Sequence, residues 1–458
     1  MEGLEKLLGS ISDVVWGPPL LVLLFGTHLY LTVRLRFVQR YIGRAIRLSF
    51  QRGGEGEGDV SHFGALTTAL AATIGTGNIV GVATAVAAGG PGAVLWMWLT
   101  GVFGIATKYA EAVLAIRYRI KMADGTMAGG PMYVLERGLR RRWLGVLFAA
   151  FTAVAAFGIG NMVQANSIAA LAEETLHMNR WLTGVVLTAC TAFVILGGIT
   201  SIARVCEKLV PFMAVFYVAG CSVLLLMHAA AIPETVRVIV TTAFTGQAAL
   251  GGFAGAGIKE AMRYGIARGL FSNESGLGSA PIVAAAAQTK TPTRQALVSS
   301  TGTFWDTVVV CAMTGLVLVN SGEWTQGHTG AVLTKAAFAD VPVVGPLVLT
   351  VGLLTFVFST ILGWSYYGEK AVEYLFGSSA VRPYRGLWVV AVMVGSVASL
   401  PAVWAFADIA NGLMAVPNLL SLLLLTHVVV AETRADLWEP APGAVGDRPV
   451  RHRGGARA

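Results

Sequence analysis

The chain has 458 residues, 55% of them hydrophobic and only 13% charged, with a mean hydropathy of +0.68. Soluble globular proteins carry about 25% charged residues, so this composition excludes an ordinary soluble domain. A net charge of +8 does not read as a nucleic-acid surface either, because Lys and Arg are scattered between apolar runs rather than gathered on one region.

Windows of about 19 residues predict spans near 14–33, 61–86, 92–116, 143–169, 181–199, 207–229, 248–287, 296–319, 343–364, 386–404 and 407–430. These define an all-α polytopic membrane protein with about eleven transmembrane helices. The first run follows acids and has no small-residue cleavage site after it, so it is expected to be a retained span rather than a signal peptide. Arg34, Arg36, Arg40, Arg44, Arg47 and Arg52 follow the first span, and Arg117, Arg119, Lys121, Arg137, Arg140, Arg141 and Arg142 follow the third. Arg204 and Lys208, then Lys290 and Arg294, then Lys370, Arg382 and Arg385 continue the alternation. By the positive-inside rule these loops face the cytoplasm, with the N-terminus outside and the C-terminus inside, as for a multi-pass protein of the cell membrane. The organisation expected is a first helix with a basic amphipathic segment over 1–60, two halves over 61–230 and 231–430, and a disordered basic tail over 431–458.

Two spans are interrupted. The second, "LAATIGTGNIVGVATAVAAGGPG", breaks at Gly75, Thr76, Gly77 and Asn78, and the seventh breaks at "GLFSNESGLGS". Unpaired backbone groups in hydrocarbon cost several kcal/mol each, so such a break survives only where protein, water or ligand pairs it. Breaks five spans apart are the mark of an inverted-repeat transporter; the competing reading of the first is a packing kink at small residues. The helix start at Thr76, Gly77 and Asn78 offers N–H groups and a positive dipole end to a carboxylate. The carbonyls of Ala71, Thr73 and Ile74 before it favour Na⁺ or an ammonium.

In the seventh span, Phe271, Ser272, Asn273, Glu274 and Ser275 put polar atoms at membrane depth. Glu274 is open to three readings: cation binding, proton exchange, or pairing with Arg268. Gln164 and Ile168 share a helix face, as do Thr360 and Trp364, while Ser359 and Thr360 are adjacent hydroxyls of the kind a hard cation takes. Taken alone, each of these pairs is more often helix packing or back-bonding to the preceding turn. Asp306, Asp408 and Asn411 are further polar groups in spans without an evident partner. Cys190, Cys206, Cys221 and Cys311 lie singly in apolar runs and read as small core residues. Neither a Walker loop, a GxSxG, an HExxH nor a paired-Cys zinc signature is present, so an ATP-driven pump or an enzyme lacks its parts and no enzymatic cofactor is expected.

The runs "GTGNIVGVATAVAAGGPGAVLWMWLTGVFGIATKYAEAVLAIRYR", "GGPMYVLERGL", "GNMVQANSIA", "RGLFSNESGLGSAP" and "FSTILGWSYYGEK" resemble the alanine or glycine:cation symporter family, the bacterial sodium/alanine symporters, from about Trp16 to Val430. The resemblance implies a leucine-transporter-like fold, five plus five inverted repeats preceded by one extra helix, and sodium-coupled uptake of alanine or glycine by alternating access. It implies that Thr76, Gly77, Asn78 and Gln164 meet the carboxylate. The ammonium meets Thr73 and Phe271 near Asn273, and Ile168, Ile361 and Trp364 close over the side chain. By similarity to the wider fold, Na⁺ takes the carbonyls of Ala71, Ile74 and Phe356 with the hydroxyls of Ser359 and Thr360. Alternatives are a proton-coupled symporter, a non-transporting amino-acid sensor and a membrane enzyme. The expected partners are the amino acid, Na⁺ and membrane lipid, with no nucleic acid.

Overall fold

The structure is a computed structural model that describes residues 2–51, 56–245, 257–398 and 401–439. Among them, seven helices are long and apolar enough to cross a membrane: Leu7–Arg34, Gly92–Arg117, Arg142–Thr175, Gly198–Met227, Pro292–Asn320, Val344–Phe376 and Phe406–Leu424. The four other expected spans appear as shorter pieces. Two are Arg180–Ile195 and Val381–Val397, and two are the interrupted segments. The first of these divides into His62–Thr73, a short 3-10 turn at Thr76–Asn78, and Val80–Gly89; the second into Ile258–Asn273 and Ala280–Ala284. The start of the expected seventh span, 248–256, lies outside the described residues.

Some boundaries differ from the sequence reading. Gly198–Met227 runs for 30 residues and carries Arg204 and Lys208 in its first turns, so these cations stand on a helix rather than in a loop. Helices at Ile42–Ser49, Ile232–Thr245 and Gly330–Ala339 fill segments between spans, and the expected tail remains helical through Thr426–Thr433 and a π turn at Arg434–Trp438. The rest of the tail, from 440, lies outside the described residues. Cys190 is exposed on the outer face, whereas Cys206, Cys221 and Cys311 are buried as expected.

Outward-facing Val22, Trp143, Trp181, Phe193, Phe212 and Leu387 are exposed, as side chains facing lipid tails would be. Inside, helices approach over small residues. Gly265 and Gly269, one turn apart, lie against Ala93, Met97 and Thr100 of Gly92–Arg117, where a Cβ would collide with the Ala93 carbonyl and the Thr100 hydroxyl respectively. Without a hydrophobic driving force between helices in lipid, such close backbone contact supplies the packing energy. The result brings the second broken helix flat against Gly92–Arg117 and next to the first break.

On the face carrying the Arg-rich segments, Arg119 is 2% exposed and donates to the carbonyls of Ala285 (2.9 Å), Ala287 (2.7 Å) and Glu57 (2.7 Å). Asp59 N–H donates to Ala286 O at 2.7 Å and Gln288 N–H to Val60 O at 2.8 Å in the same place. Arg119 is therefore a buried clasp between segments that precede the first break and follow the second, beyond its reading as topology-setting charge.

Candidate cation and amino-acid site

At the first break the helix stops at Thr73, Ile74 is extended, and Gly75 adopts φ −147° and ψ −150°. Neither Gly75 nor Gly77 has a positive φ, so conformational freedom does not explain them. Gly75 is required by proximity instead: a Cβ there would stand 2.6 Å from Thr360 Oγ1. The N–H groups of Thr76 and Gly77, and the carbonyls of Thr73 and Phe271, make no hydrogen bond among the described residues. Free donors on one side and free acceptors on the other are what a zwitterion needs.

Five oxygens converge between the first break and Val344–Phe376. Ser359 Oγ lies 3.1 Å from Ala71 O and 2.8 Å from Phe356 O, while Thr360 Oγ1 lies 3.3 Å from Ile74 O and 3.0 Å from Phe356 O. All five residues are buried. Three carbonyls and two hydroxyls without a formal charge form a hard, dry donor set suited to a monovalent cation such as Na⁺.

Asn78 departs from its expected role. Its Oδ1 accepts from Gly75 N–H at 2.8 Å, and its Nδ2 donates to Asp306 Oδ1 at 2.7 Å. The side chain thus pins the break open and is turned away from a ligand at Thr76 and Gly77. Asp306, which the sequence left without a partner, also accepts from Ser272 Oγ at 3.0 Å and Thr307 Oγ1 at 2.6 Å. Gln164 Nε2 donates to Ile159 O at 2.9 Å, while its Oε1 has no partner among the described residues and is an acceptor open to an ammonium.

The second break follows Asn273. Glu274 takes a left-handed conformation with φ +55°, and Gly276 and Gly278 have φ +89° and +90°. Glu274 accepts from Trp364 Nε1 at 3.1 Å and from Ser279 Oγ; of its three readings, pairing with Arg268 is not seen, since that guanidinium lies over the Phe271 ring. Trp364 is thereby fixed, and it packs against Gly160 so closely that a Cβ there has no room. Phe271 faces Gly77, and a Cβ on Gly77 would be 3.5 Å from its ring. Ile361 and Ile168 are buried, on Val344–Phe376 and Val163–Leu176 respectively. Asp408 accepts from Ser12 Oγ at 2.8 Å, and its backbone carbonyl accepts from Trp16 Nε1 at 3.1 Å, the Trp16 ring lying edge-on to Phe271.

A family model described as "Sodium:alanine symporter family" matches residues 1–439. The chain belongs to that family. Like its relatives it is a sodium-coupled symporter, a multi-pass membrane protein and not an enzyme. It is 53% identical over 441 residues to the sodium/alanine symporter AgcS of Methanococcus maripaludis, covering 94% of this chain and 96% of that protein. It is 36% identical over 431 residues to the probable sodium/glutamine symporter GlnT of Bacillus subtilis, covering 93% and 89%. In backbone it is similar to MhsT, solved in complex with L-phenylalanine, with a TM-score of 0.59 at 15% identity over 83% of this chain and 94% of that one. That likeness establishes the leucine-transporter-like fold.

Two functional candidates on the symporter's Gly92–Arg117 helix escaped the sequence reading, Lys108 and Glu111. Glu111 Oε1 accepts from Gly276 N–H at 3.1 Å and Asn418 Nδ2 at 2.7 Å, and so holds the second break in place. Their signal was present as two ionisable residues three apart within an apolar span.

Proposed function

We propose that this chain takes up alanine and glycine across the cell membrane together with Na⁺, by alternating access of the halves 61–230 and 231–430. The observation that carries the reading is the five-oxygen cluster of Ala71, Ile74, Phe356, Ser359 and Thr360, adjoining free N–H groups at Thr76 and Gly77. In this reading the amino-acid carboxylate docks on those two N–H groups, where the helix-start dipole favours it. The ammonium meets the carbonyls of Thr73 and Phe271, with Gln164 Oε1 close by. Trp364, Ile361 and Ile168 enclose the side chain. Because Trp364 is held by Glu274 and backed by Gly160, the enclosure favours a small side chain. Na⁺ bound beside the amino acid raises its affinity, and by linkage the amino acid raises that of Na⁺ to the same degree. Asn78 acts at one remove, by holding Gly75 in place. In this reading the Arg-rich segments face the cytoplasm and the N-terminus lies outside.

The test is radiolabelled alanine uptake into proteoliposomes containing the purified chain, under an inward Na⁺ gradient, an H⁺ gradient or none. Accumulation under the Na⁺ gradient alone is expected. Uptake driven equally well by H⁺ would replace Na⁺ as the coupling ion, and binding without accumulation would leave a sensor.

A further inference from the structure

Lys108 has no part in the transport reading. It lies within Gly92–Arg117, is 4% exposed, and its Nζ makes no hydrogen bond among the described residues. An ammonium is a compact, strongly hydrated charge, and burying one unpartnered at membrane depth costs several kcal/mol. A group held at such a cost is expected to find acceptors in another state of the protein.

Lys108 lines a small cavity of about 10 Å³ with Thr73, Asn273, Ser299 and Pro281 among its walls. That is close to the least volume, about 10 Å³, that one water occupies. Asn273 Nδ2, on the same wall, is also without a partner among the described residues. Two buried donors therefore face a space that adjoins both breaks. The carboxylates of Glu111, Glu274 and Asp306, and the ring of His28, lie within electrostatic range of the ammonium, yet none is hydrogen-bonded to it. Each carboxylate is held instead by neutral donors: Gly276 and Asn418, Ser279 and Trp364, and Asn78, Ser272 and Thr307.

The geometry points to Lys108 as a tethered counter-ion for the empty carrier: once Na⁺ and the amino acid have left, its ammonium supplies the positive charge beside Glu274 and Asp306 while the protein turns back. This rests on the Na⁺-coupled reading above. The loaded carrier holds a zwitterion, which adds no net charge, and one cation among uncharged oxygens. Release removes that cation from a buried region containing carboxylates, and reorientation through the low-dielectric membrane would then carry them uncompensated. The four-carbon stem of a lysine lets its head group move without any shift of the backbone. No proton or bond changes hands; the charge is only relocated.

The consequence separates two fluxes. Net uptake needs the empty carrier to return, whereas Na⁺-dependent exchange of labelled for unlabelled alanine needs only the loaded form to shuttle. In proteoliposomes with the full chain, Lys108→Gln is expected to lower net uptake about tenfold or more while exchange stays within about twofold of wild type. Lys108→Arg should keep the wild-type ratio of the two fluxes. In Lys108→His that ratio should rise as pH falls through the histidine range, with the wild-type ratio at each pH as the reference. If the glutamine protein does not fold, the histidine protein decides within a single preparation. Net uptake and exchange falling together in Lys108→Gln, or a Lys108→His ratio that does not follow pH, would overturn the inference. Absence of any Na⁺-dependent exchange in the wild type would instead overturn the proposed function.

Discussion

Thr360 Oγ1 stands where a Cβ on Gly75 would reach to 2.6 Å, so this glycine and this hydroxyl are fitted to each other. Gly75→Ala should push the hydroxyl off the cluster and raise the Na⁺ half-saturation of alanine uptake about tenfold or more, a loss of about 1.4 kcal/mol. Ser359→Ala and Thr360→Ala each remove one of five oxygens. Their Na⁺ activation curves should shift by a similar factor, with alanine affinity at saturating Na⁺ changed much less; an unmoved Na⁺ curve would exclude this cation site. Asn78→Ala should act differently. It strips Gly75 N–H of its acceptor and Asp306 of a donor, so melting in detergent should show a loss of about 1–3 kcal/mol. The sequence showed Ser359 and Thr360 as adjacent hydroxyls, but their placing beside the Ala71 and Ile74 carbonyls came from the family resemblance and not from residue type or spacing. The orientation of Asn78 was not legible, since its partner Asp306 is 228 residues away and nothing local records that pairing.

The two interrupted helices carry the backbone groups of the proposed site, and buried carboxylates from other helices hold both, Asp306 reaching the second as well through Ser272 Oγ. Asp306 holds the first through Asn78, and Glu111 holds the second through Gly276 N–H. For Glu111 only the acceptor Oε1 is used, so Glu111→Gln should retain both contacts and melt close to wild type, whereas Glu111→Ala should lose about 1–3 kcal/mol. A thermal shift equal for the two variants would mean that charge, not the hydrogen bonds, is what matters there. Both breaks were readable from sequence, as glycines and polar residues inside apolar runs. The second was drawn too early in the chain, because Phe271, Ser272 and Asn273 belong to the last helical turn and the irregular stretch begins at Glu274. The short helices Ile232–Thr245 and Gly330–Ala339 were missed because a window tuned to a full bilayer crossing averages them away.

Across the whole molecule, the clasp at Arg119 closes one face by joining Glu57, Ala285 and Ala287. Removing it with Arg119→Met should raise the amide hydrogen exchange of Asp59, Val60 and Gln288 about tenfold, while amides within Val344–Phe376 stay protected. Uniform acceleration would indicate global destabilisation instead. The membrane class and nearly all of the spans were legible, since hydrocarbon forces them into long apolar runs. Arg119 was legible only as loop charge, because its burial depends on how two distant segments meet. The helices through Gln164 and Asp306 each contain a π turn, Ala156–Met162 and Phe304–Cys311. A π turn holds one residue more than the regular helix around it, and each residue turns an α-helix by about 100°. The wide turn absorbs that extra residue locally, so deleting one residue inside Ala156–Met162 would close it to a regular turn with the faces before and after it still aligned; what would be lost is the reach of Gln164 Nε2 back to the Ile159 carbonyl, five residues earlier.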